Sequence, residues 1–362
     1  MGEHKINIYD IAKEAQVSPA TVSRVIGGKV KVSEEKKRRV QEVIEKYHFQ
    51  PNALAKGLSA EKTHIIGIIV SDIRNPYYSQ LYVECEKAAA VHGYTLLLSD
   101  SLGEHERERE LLEKMAGQSV DAIIQIGGSV DVWEMEEEYI GHFNHIAQRI
   151  PVVTSVRQDG LDCYSVSIDE IKSVELVMEY LLKQGHRNIV FVGGNDTVLA
   201  TRVKKKRFME IMKEAGIGKK KKYWVPTDAY TVEEGYEAAR KLLENKKLPT
   251  AILAVNDIVA MGICKAIAQA GMQIPKDIAV ASFDNTFIAQ LANPSLTSVD
   301  YHYEKFGELL IQTVVDAIDG KEQKQHKIVP VTLQERQSTR MSEKQRESKE
   351  KNKTRKNKNK EK

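Results

Sequence analysis

The sequence lacks the features that mark membrane proteins and disulfide-stabilised secreted proteins. No apolar run approaches the roughly 18 residues that a membrane-spanning helix needs, so we expect no membrane contact. The only cysteines, Cys85, Cys163 and Cys264, lie far apart in the chain, which predicts neither a disulfide framework nor a zinc site. The first 13 residues are polar and show no basic-then-apolar signal pattern. We therefore expect a globular cytoplasmic protein.

Motifs of nucleotide-dependent and zinc-dependent enzymes are also absent. The first apolar strand is followed by SDIRNPY rather than G-x-G-x-x-G, and no G-x-x-x-x-G-K-[ST] occurs. The 10 histidines form no H-E-x-x-H motif. We therefore predict no catalytic residue, no metal and no cofactor, and we do not expect an enzyme.

Charge is distributed unevenly along the chain. The net charge is +3, but residues 1–60 carry 11 basic and 7 acidic side chains, and residues 341–362 carry 10 and 4. The remainder must therefore be acidic. Basic ends on an acidic body favour a nucleic-acid partner. The last 22 residues hold no apolar side chain after Met341, so we predict a disordered basic tail, with either weak phosphate attraction or no binding role.

The first 50 residues predict three short helices. Asn7 and Ser18 are suitable N-caps for the first two, and Pro19 stands at the first position of the second helix, where its missing N–H costs nothing. Gly27 and Gly28 end that helix, and Ser33 is the expected cap of the third. Two helices joined by a tight turn have the spacing of a helix-turn-helix, whose second helix enters the DNA major groove.

The early residues of the second helix are the expected base readers and phosphate contacts. Arg24 can pair with guanine through two hydrogen bonds, worth roughly 1–3 kcal/mol of discrimination. Pro19 and Ala20 offer only apolar contact. The predicted DNA-binding residues of this head are Tyr9, Ser18, Pro19, Ala20, Thr21, Ser23 and Arg24.

From residue 63 the pattern changes to apolar runs of strand length separated by helical stretches. The runs are residues 65–70, 95–98, 122–126, 151–154, 188–192, 251–255 and 278–281. Strands buried on both faces and joined by helices indicate βαβ crossovers and parallel sheets. Residues 63–340 are long enough for two such subdomains.

The segments YDIAKEAQVSPATVSRVI and VSEEKKRRVQEVIEKYHFQPNALAKGL resemble the LacI/GalR family of bacterial transcription regulators. The resemblance extends from residue 6 to about 340. Gln16 stands in the turn where the family commonly has glycine. The resemblance implies an α/β fold with an N-terminal all-α helix-turn-helix head and a hinge helix. Two doubly wound α/β subdomains of the periplasmic-binding-protein type follow.

The resemblance also implies the domain boundaries and a role for the segment PNALAKGL. We predict a head over 1–50, a hinge helix and linker over 51–62, an effector-binding and dimerisation core over 63–340, and the tail over 341–362. Leu58 matches a leucine that enters the minor groove at a central CpG step and bends the DNA. The hinge contributes Asn52, Ala55, Lys56 and Leu58 to the predicted DNA contacts. A plain linker is the alternative.

Ligand contacts are expected where strands end beside the cleft between the two subdomains. Asp72, Asn75 and Tyr77 follow the first strand. Tyr230, Asn256 and Asp284 match family positions that contact ligand, where an aromatic face with amide and carboxylate acceptors suits a sugar. For Asn75 the alternative is a turn, and for Asn256 and Asp284 it is a helix cap.

Two departures from the family pattern leave the effector open. Lys204 stands where an arginine usually grips the ligand, and residues 204–207 form either an anion-binding patch or a solvated face. Catabolite-control members, the nearest in pattern, bind a phosphorylated phosphocarrier protein through two basic residues on a late helix. Gln312 and Asp316 stand at the matching positions, so the phosphocarrier is only a possible partner.

The function that follows is a DNA-binding regulator of carbohydrate genes, with a repressor favoured. It is expected to act as a homodimer on a palindromic, double-stranded operator with a central CpG, and a small effector, a sugar by preference, sets its affinity. The alternatives are control by the phosphocarrier protein and a stand-alone sugar-binding protein. A stand-alone sugar-binding protein does not explain why the chain carries a helix-turn-helix.

Overall fold

The computed structural model describes residues 6–27, 32–47, 49, 62–118, 120–217 and 223–340. These residues form two compact units that divide at residue 65, with a short piece near residue 120 belonging to the first unit. The predicted hinge helix and basic tail lie outside the described residues. So do four predicted DNA contacts: Asn52, Ala55, Lys56 and Leu58.

The head consists of helices α1 (Ile8–Glu14), α2 (Pro19–Gly27) and α3 (Glu34–Lys46). The predicted caps Asn7 and Ser18 are confirmed, because Asn7 Oδ1 accepts the Tyr9 amide at 2.8 Å and Ser18 Oγ accepts the Thr21 amide at 3.2 Å. Ser33 occupies the N-cap position of α3, but the prediction that its side chain caps the helix is wrong, because the side chain makes no cap hydrogen bond. The fully buried side chains form a small core, made of Ile11, Ala12, Ala15, Val22, Val40 and Val43.

The turn between α1 and α2 requires a left-handed residue. Gln16 has a φ of 54°, a conformation in which glycine carries no steric penalty and other L-residues do. The sequence departure at Gln16 therefore coincides with a strained position, although the turn itself forms as predicted.

The second unit contains two sheets of six strands, which define a first and a second lobe. The first sheet has the order β11-β5-β4-β3-β1-β2, all parallel where its pairing is described. Its strands are β1 (Ile65–Val70), β2 (Thr95–Asp100), β3 (Ala122–Ile126), β4 (Val152–Thr154), β5 (Tyr164–Ile168) and β11 (His326–Val329). Its helices are α4 (Pro76–Val91), α5 (His105–Gly117), α6 (Glu137–Ala147) and α12 (Tyr303–Ile318).

The second sheet has the order β12-β10-β9-β8-β6-β7, and only the edge strand β12 is antiparallel. Its strands are β6 (Ile189–Val192), β7 (Trp224–Val225), β8 (Ala251–Ala254), β9 (Ala279–Asp284), β10 (Thr297–Asp300) and β12 (Thr332–Gln334). Its helices are α7 (Glu170–Lys183), α8 (Leu199–Glu214), α9 (Val232–Leu243), α10 (Asp257–Gln269) and α11 (Phe287–Leu291).

The chain passes between the lobes three times, after β5, after β10 and between β11 and β12. Each lobe has its own apolar core, and Tyr77 and Ile168 pack against both cores. The predicted α/β class with a helical head and two doubly wound lobes is confirmed for the described residues. None of the helices described is both long enough and apolar enough to cross a bilayer.

Candidate functional site

The exposed face of α2 carries the side chains that the sequence predicts to meet DNA. Ser18, Pro19, Ala20 and Arg24 are exposed, and Thr21 and Ser23 are half-exposed. On α1, Tyr9 is 69% exposed. The buried side of α2 is occupied by Val22, so the apolar spacing turns the polar positions outward.

Arg24 is available for a partner outside the head. Among the described residues, none forms an ion pair or hydrogen bond with its guanidinium, whereas the hydroxyls of Ser18 and Thr21 lie 3.0 Å apart. An unengaged arginine on the exposed face of a capped helix can reach guanine O6 and N7. The DNA-contact assignments of these residues stay predictions.

Tyr77 belongs to the first lobe and packs against the apolar cores of both lobes. It lies in the first turn of α4, after the N-cap residue Asn75, whose Oδ1 accepts the Tyr77 amide at 3.1 Å. Its ring meets Tyr301 and Tyr303 edge-on, at centroid distances of 6.2 and 6.0 Å. Burial raises the pKa of Tyr77 well above its ordinary value, so its hydroxyl stays protonated.

Lys204 is the buried cation of the cleft, with 5% of its surface exposed. Its ammonium pairs with Glu170 Oε2 at 3.4 Å and lies 4.7 Å from the Phe283 ring centroid. A buried lysine needs such partners because an unpaired charge is costly away from water. The structure therefore places Lys204 at the cleft, but already engaged by a carboxylate of the chain.

Asp284 ends strand β9 in a strained conformation. Its φ is 95° and that of Asn285 is 51°, two successive left-handed residues that are not glycine. Such strain often marks functional sites. The carboxylate is 6% exposed, and burial, reinforced by the nearby Asp257, raises its pKa well above the ordinary value. Asp284 is not a helix cap, so that alternative is excluded for this residue.

Asp131 reaches the cleft from the first lobe and was not predicted. It follows the turn Gly127–Ser129 after β3, and its Oδ1 accepts the Ala200 amide of α8 at 3.3 Å. Burial, together with the charge of Glu170, raises the pKa of Asp131 to about 7. Asp131 thus links the first lobe to the start of α8 in the second lobe.

A buried network holds the turn that delivers Asp131. Glu108 is 1% exposed and accepts hydrogen bonds from Tyr139 Oη at 2.8 Å, Gln125 Nε2 at 2.6 Å and the Ser129 amide at 3.1 Å. Three donors on one buried carboxylate offset its desolvation. Glu108 therefore fixes the loop without facing the cleft.

The lobes touch across the mouth of the cleft. Val132 and Val198 form an antiparallel bridge, and the Trp133 amide donates to the Thr197 carbonyl at 2.6 Å. The Arg202 guanidinium lies 4.1 Å from the Trp133 ring centroid. The two lobes are therefore in direct contact at this point, and Trp133 belongs to that contact.

The remaining predicted ligand residues are divided between the cleft and local structure. Tyr230 hydrogen-bonds Thr201 at 2.6 Å and faces Asp131. Asp72 pairs with Arg74 of its own loop at 2.8 Å, and Asn256 caps α10 through the Val259 amide at 2.9 Å. The cap alternative therefore holds structurally for Asn256, and Asn75, for which a turn was the alternative, is the N-cap of α4. The ligand roles of all seven residues stay predictions.

The basic run 204–207 does not form one patch. Arg207 pairs with Glu175, Glu210 and Glu214, and Lys205 pairs with Asp196. Lys204 points inward to Glu170. The solvated-face interpretation is thus favoured for Arg207 and Lys205 because acidic partners of the chain occupy both.

Sequence reasoning missed Asp131, Glu170 and Tyr301. Glu170 and Tyr301 follow β5 and β10, two strands that the apolar-run pattern did not reveal because their sequences, YSVSI and TSVD, are rich in polar residues. Asp131 follows the correctly predicted β3, and the Gly-Gly turn after that strand was the available signal. In the part of the chain that the structure describes, no group of three or more His, Cys, Asp or Glu could hold a metal ion.

Comparison with known proteins decides the family. Residues 7–52 match the model for bacterial regulatory proteins of the lacI family, and residues 178–339 match a periplasmic binding protein-like domain. Catabolite control protein A of Priestia megaterium is 34% identical over 339 residues, covering 92% of this chain and 99% of that protein. The chain belongs to the lacI family. It is a DNA-binding regulator with a ligand-binding type of body.

Other lacI-family relatives share the sequence or the fold. Catabolite control protein A of Staphylococcus epidermidis is 34% identical over 81% of this chain and 87% of its own. The Lac repressor dimer bound to operator and an anti-inducer superposes with a TM-score of 0.83 over 93% of this chain and all of that one, at 22% identity. A regulator from Alkaliphilus metalliredigens, complexed with D-xylulofuranose, gives a TM-score of 0.67 at 25% identity over 77% of this chain and all of that one.

Proposed function

We propose that this lacI-family regulator is a ligand-responsive repressor of carbohydrate genes that binds a palindromic operator as a homodimer. The observation that carries the proposal is the exposed polar face of α2, with Arg24 free of partners among the described residues, in a chain whose body buries charged side chains between two lobes. One recognition helix per chain needs a second copy to read both halves of a palindrome.

Exposed apolar residues on both lobes support self-association. Phe287 and Leu291 of α11 are 54% and 76% exposed, and Val83 and Leu97 of the first lobe are 45% and 38% exposed. Large exposed apolar side chains in groups often mark protein contacts. Sedimentation velocity of the full chain tests the dimer, and a Leu291→Asp change is expected to weaken it.

The cleft supports a small polar effector. Asp131 and Asp284 supply acceptors from opposite lobes, and Tyr77 and Tyr230 supply aromatic faces. Sugars present hydroxyl donors and apolar ring faces, which suit this combination. The D-xylulofuranose complex of the 25%-identical regulator agrees with a sugar. Ligand binding is expected to shift the balance between closed and open lobes.

Binding to DNA is the first test. A labelled palindrome with a central CpG is titrated with the full chain at two salt concentrations, and fluorescence anisotropy gives the affinity. We expect tight binding that weakens as salt rises, and a further change when an effector sugar is added. Equal affinity for a scrambled duplex at both salt concentrations contradicts a sequence-specific regulator.

Control by a phosphorylated phosphocarrier protein is the second candidate. The 34% identity to proteins named catabolite control protein A favours it. Against it, Gln312 donates to Asp316 Oδ1 at 2.9 Å, and Lys321 also lies 3.3 Å from that atom. A phosphoserine there meets a carboxylate rather than a free cation. Operator affinity that rises with the phosphoprotein and ignores sugars favours this second candidate.

A further inference from the structure

The second lobe has an end that faces away from the first lobe. The lobes meet at the carboxyl ends of their parallel strands, where the Trp133 amide, after β3, donates to the Thr197 carbonyl, after β6, at 2.6 Å. The opposite edge of the second sheet, where the parallel strands begin and the antiparallel β12 ends, therefore points outward. We call this surface the outer end and define it by four segments: residues 183–188, 244–250, 270–278 and 334–340.

Hydrogen bonds join the four segments of the outer end into one surface. The Thr250 amide donates to the Asn188 carbonyl at 2.8 Å, and the Ala279 amide donates to the Thr250 carbonyl at 3.1 Å. Next to Ala279, the Val280 amide donates to the Ser338 carbonyl at 3.0 Å. The segments therefore lie side by side, although they are far apart in the sequence.

The outer end is basic, whereas the opposite edge of the same sheet is acidic. Seven Lys or Arg and three Asp or Glu in the four segments leave a net charge of +4. Six of the basic side chains are exposed: Lys183, Arg187, Lys246, Lys247, Lys276 and Arg340. At the carboxyl ends of the strands the charged residues are aspartates, among them Asp196, Asp228, Asp257 and Asp284. Positive charge is thus concentrated on the side of the lobe that faces outward.

Few of these cations are paired with a carboxylate of the chain. Lys183 pairs with Glu179 at 2.8 Å, and Arg187 donates to two backbone carbonyls, at 2.8 and 2.9 Å. Four side chains of the outer end form no ion pair or hydrogen bond among the described residues: Lys246, Lys247, Lys276 and Arg340. An exposed cation without an internal partner can form a charge-assisted hydrogen bond with a phosphate.

The acidic side chains of the outer end do not cancel this charge. Glu244 is engaged by Arg240 of α9 at 2.8 Å, and Asp277 accepts the Gln273 amide at 2.8 Å. Glu335 is exposed and remains as a local negative charge. The chain then continues from Arg340, at this same end, into residues 341–362, which carry 10 basic and 4 acidic side chains.

The composition of the outer end favours duplex DNA over other polyanions. None of the large apolar or aromatic side chains that are exposed on the described body belongs to the four segments. Helices that lie on membranes bury apolar side chains among the lipids, and single-stranded nucleic acids stack their bases on aromatic rings. Lysine and arginine without either feature suit the phosphate backbone of a duplex.

The outer end also lies far from the place where the chain enters the body. The body begins at Ile66, near the amino end of β1 in the first sheet. Arg340 lies at the corresponding edge of the second sheet, and the two edges face away from each other. The connection to the head and the outer end therefore lie at opposite ends of the body.

We propose that the outer end of the second lobe is a second DNA-binding surface, which holds the phosphate backbone of a duplex other than the one bound by α2. The protein then bridges two segments of DNA. This inference goes beyond the proposed function, because it depends on neither the palindrome nor the effector. Binding through phosphates is independent of sequence and weakens steeply as salt rises.

A capture assay with the full chain tests the bridge. The palindromic duplex is fixed to beads, protein is bound, excess protein is washed away, and a labelled duplex of scrambled sequence is added. Labelled duplex captured per retained protein is the readout. We expect capture at low salt that falls about tenfold or more when the salt concentration rises fourfold. Absence of capture at both salt concentrations overturns the proposal.

Neutral substitutions locate the second surface. The outer-end variant combines four changes: Lys246→Gln, Lys247→Gln, Lys276→Gln and Arg340→Gln. We expect it to capture about tenfold less labelled duplex, with unchanged retention on the palindrome and an unchanged melting temperature. The matched control removes four exposed lysines from other helices of the body and should capture normally: Lys87→Gln, Lys114→Gln, Lys172→Gln and Lys305→Gln. Capture that survives in the outer-end variant places the second duplex elsewhere, for example on the head of an associated copy, and overturns the proposal.

Two further measurements separate the outer end from its alternatives. A chain that ends at Arg340 is expected to keep part of the capture, whereas complete loss assigns the second duplex to residues 341–362 and overturns the assignment to the outer end. Phosphatidylglycerol vesicles replace the labelled duplex in the second measurement. Protein on the beads that captures these vesicles but not the duplex identifies a membrane surface and likewise overturns the proposal.

Discussion

The head and the cleft use polar side chains in opposite ways. On α2, Arg24 is exposed and without a partner among the described residues. In the cleft, Lys204 and Asp284 are 5% and 6% exposed and act on other charged groups of the chain. An exposed charged side chain is solvated and can pair with a charged partner from outside the chain. A buried charged side chain needs compensating charges within the folded chain. Recognition of DNA is therefore built on a surface, and recognition of a ligand on an interior.

The two regions also differ in what holds them together. The head depends on a core of six buried residues among those described, while each lobe of the body packs a large core around its sheet. Small domains bury proportionately less surface and are correspondingly marginal. A single core change should therefore abolish the head but only weaken the body.

The largest effect is expected from Ile11→Ala. Ile11 is fully buried in the head core, so the change should cost about 2–5 kcal/mol and unfold the head. Operator binding should vanish, while the melting of the body stays within a few degrees. Scanning calorimetry of the full chain measures the melting of the body, and anisotropy with operator DNA measures binding. Ile263→Ala, at an equally buried position of α10, is the matched change in the body. It should lower the melting temperature of the body and leave the fold of the head and operator binding intact.

The next effect is expected from Arg24→Ala. Loss of one bidentate base contact should weaken operator binding roughly 10- to 100-fold, corresponding to about 1–3 kcal/mol, without changing the fold. Anisotropy with specific and scrambled duplexes measures it. Arg38→Ala changes an exposed arginine of α3 that pairs with Glu42, and serves as the control. An equal loss on both duplexes makes Arg24 a phosphate contact instead.

A smaller effect distinguishes the cleft from the head through pH. The folded pKa of Asp131 is raised to about 7, so the folded chain holds a proton that the unfolded chain releases. Its contribution to stability is present in acid and is lost as pH rises toward 7. Between pH 5 and 7 the original chain should lose about 1 kcal/mol relative to Asp131→Asn, discounted from the full shift because the side chain is partly open.

Urea unfolding of the body at several pH values provides the measurement for Asp131. The comparison with Asp131→Asn removes the contributions of all other titrating groups. Parallel curves for the two proteins would mean that Asp131 does not titrate in this range in the closed state.

The smallest effect concerns the turn of the head. Gln16→Gly removes the cost of a left-handed non-glycine residue, offset in part by the greater freedom of glycine in the unfolded chain. We expect the head to gain about 0.5 kcal/mol, read as a higher melting temperature of its transition. Gln41→Gly, a change at an exposed position in the interior of α3, should lower that temperature instead.

Local signals carried most of the fold into the prediction. Asn7 and Ser18 cap helices because their short polar side chains reach backbone amides within a few residues. Apolar runs such as β1 and β3 revealed buried parallel strands. The strands β5 and β10 were missed, since Tyr164–Ile168 and Thr297–Asp300 mix polar residues into buried positions whose partners are distant in sequence.

Site residues were predicted where a sequence segment indicated them and were missed where only packing brings them to the site. Lys204, Tyr230 and Asp284 were predicted from the resemblance and Tyr77 from its place after β1, and their ligand roles stay predictions. Asp72 pairs instead with Arg74, two residues along its own loop. Glu170 escaped notice because its strand did, and nothing in its sequence neighbourhood indicates that it pairs with Lys204, 34 positions later.

The sequence by itself determined the helical head, the outward face of its second helix, the alternation of strands and helices, and the family. Each rests on spacing or on contacts within a few residues. Only the tertiary structure decided the charge of the cleft, because Asp131, Glu170, Lys204 and Asp284 come from four separate segments and two lobes. Burial, not residue type, sets how those groups hold protons, and burial is a property of the folded chain alone.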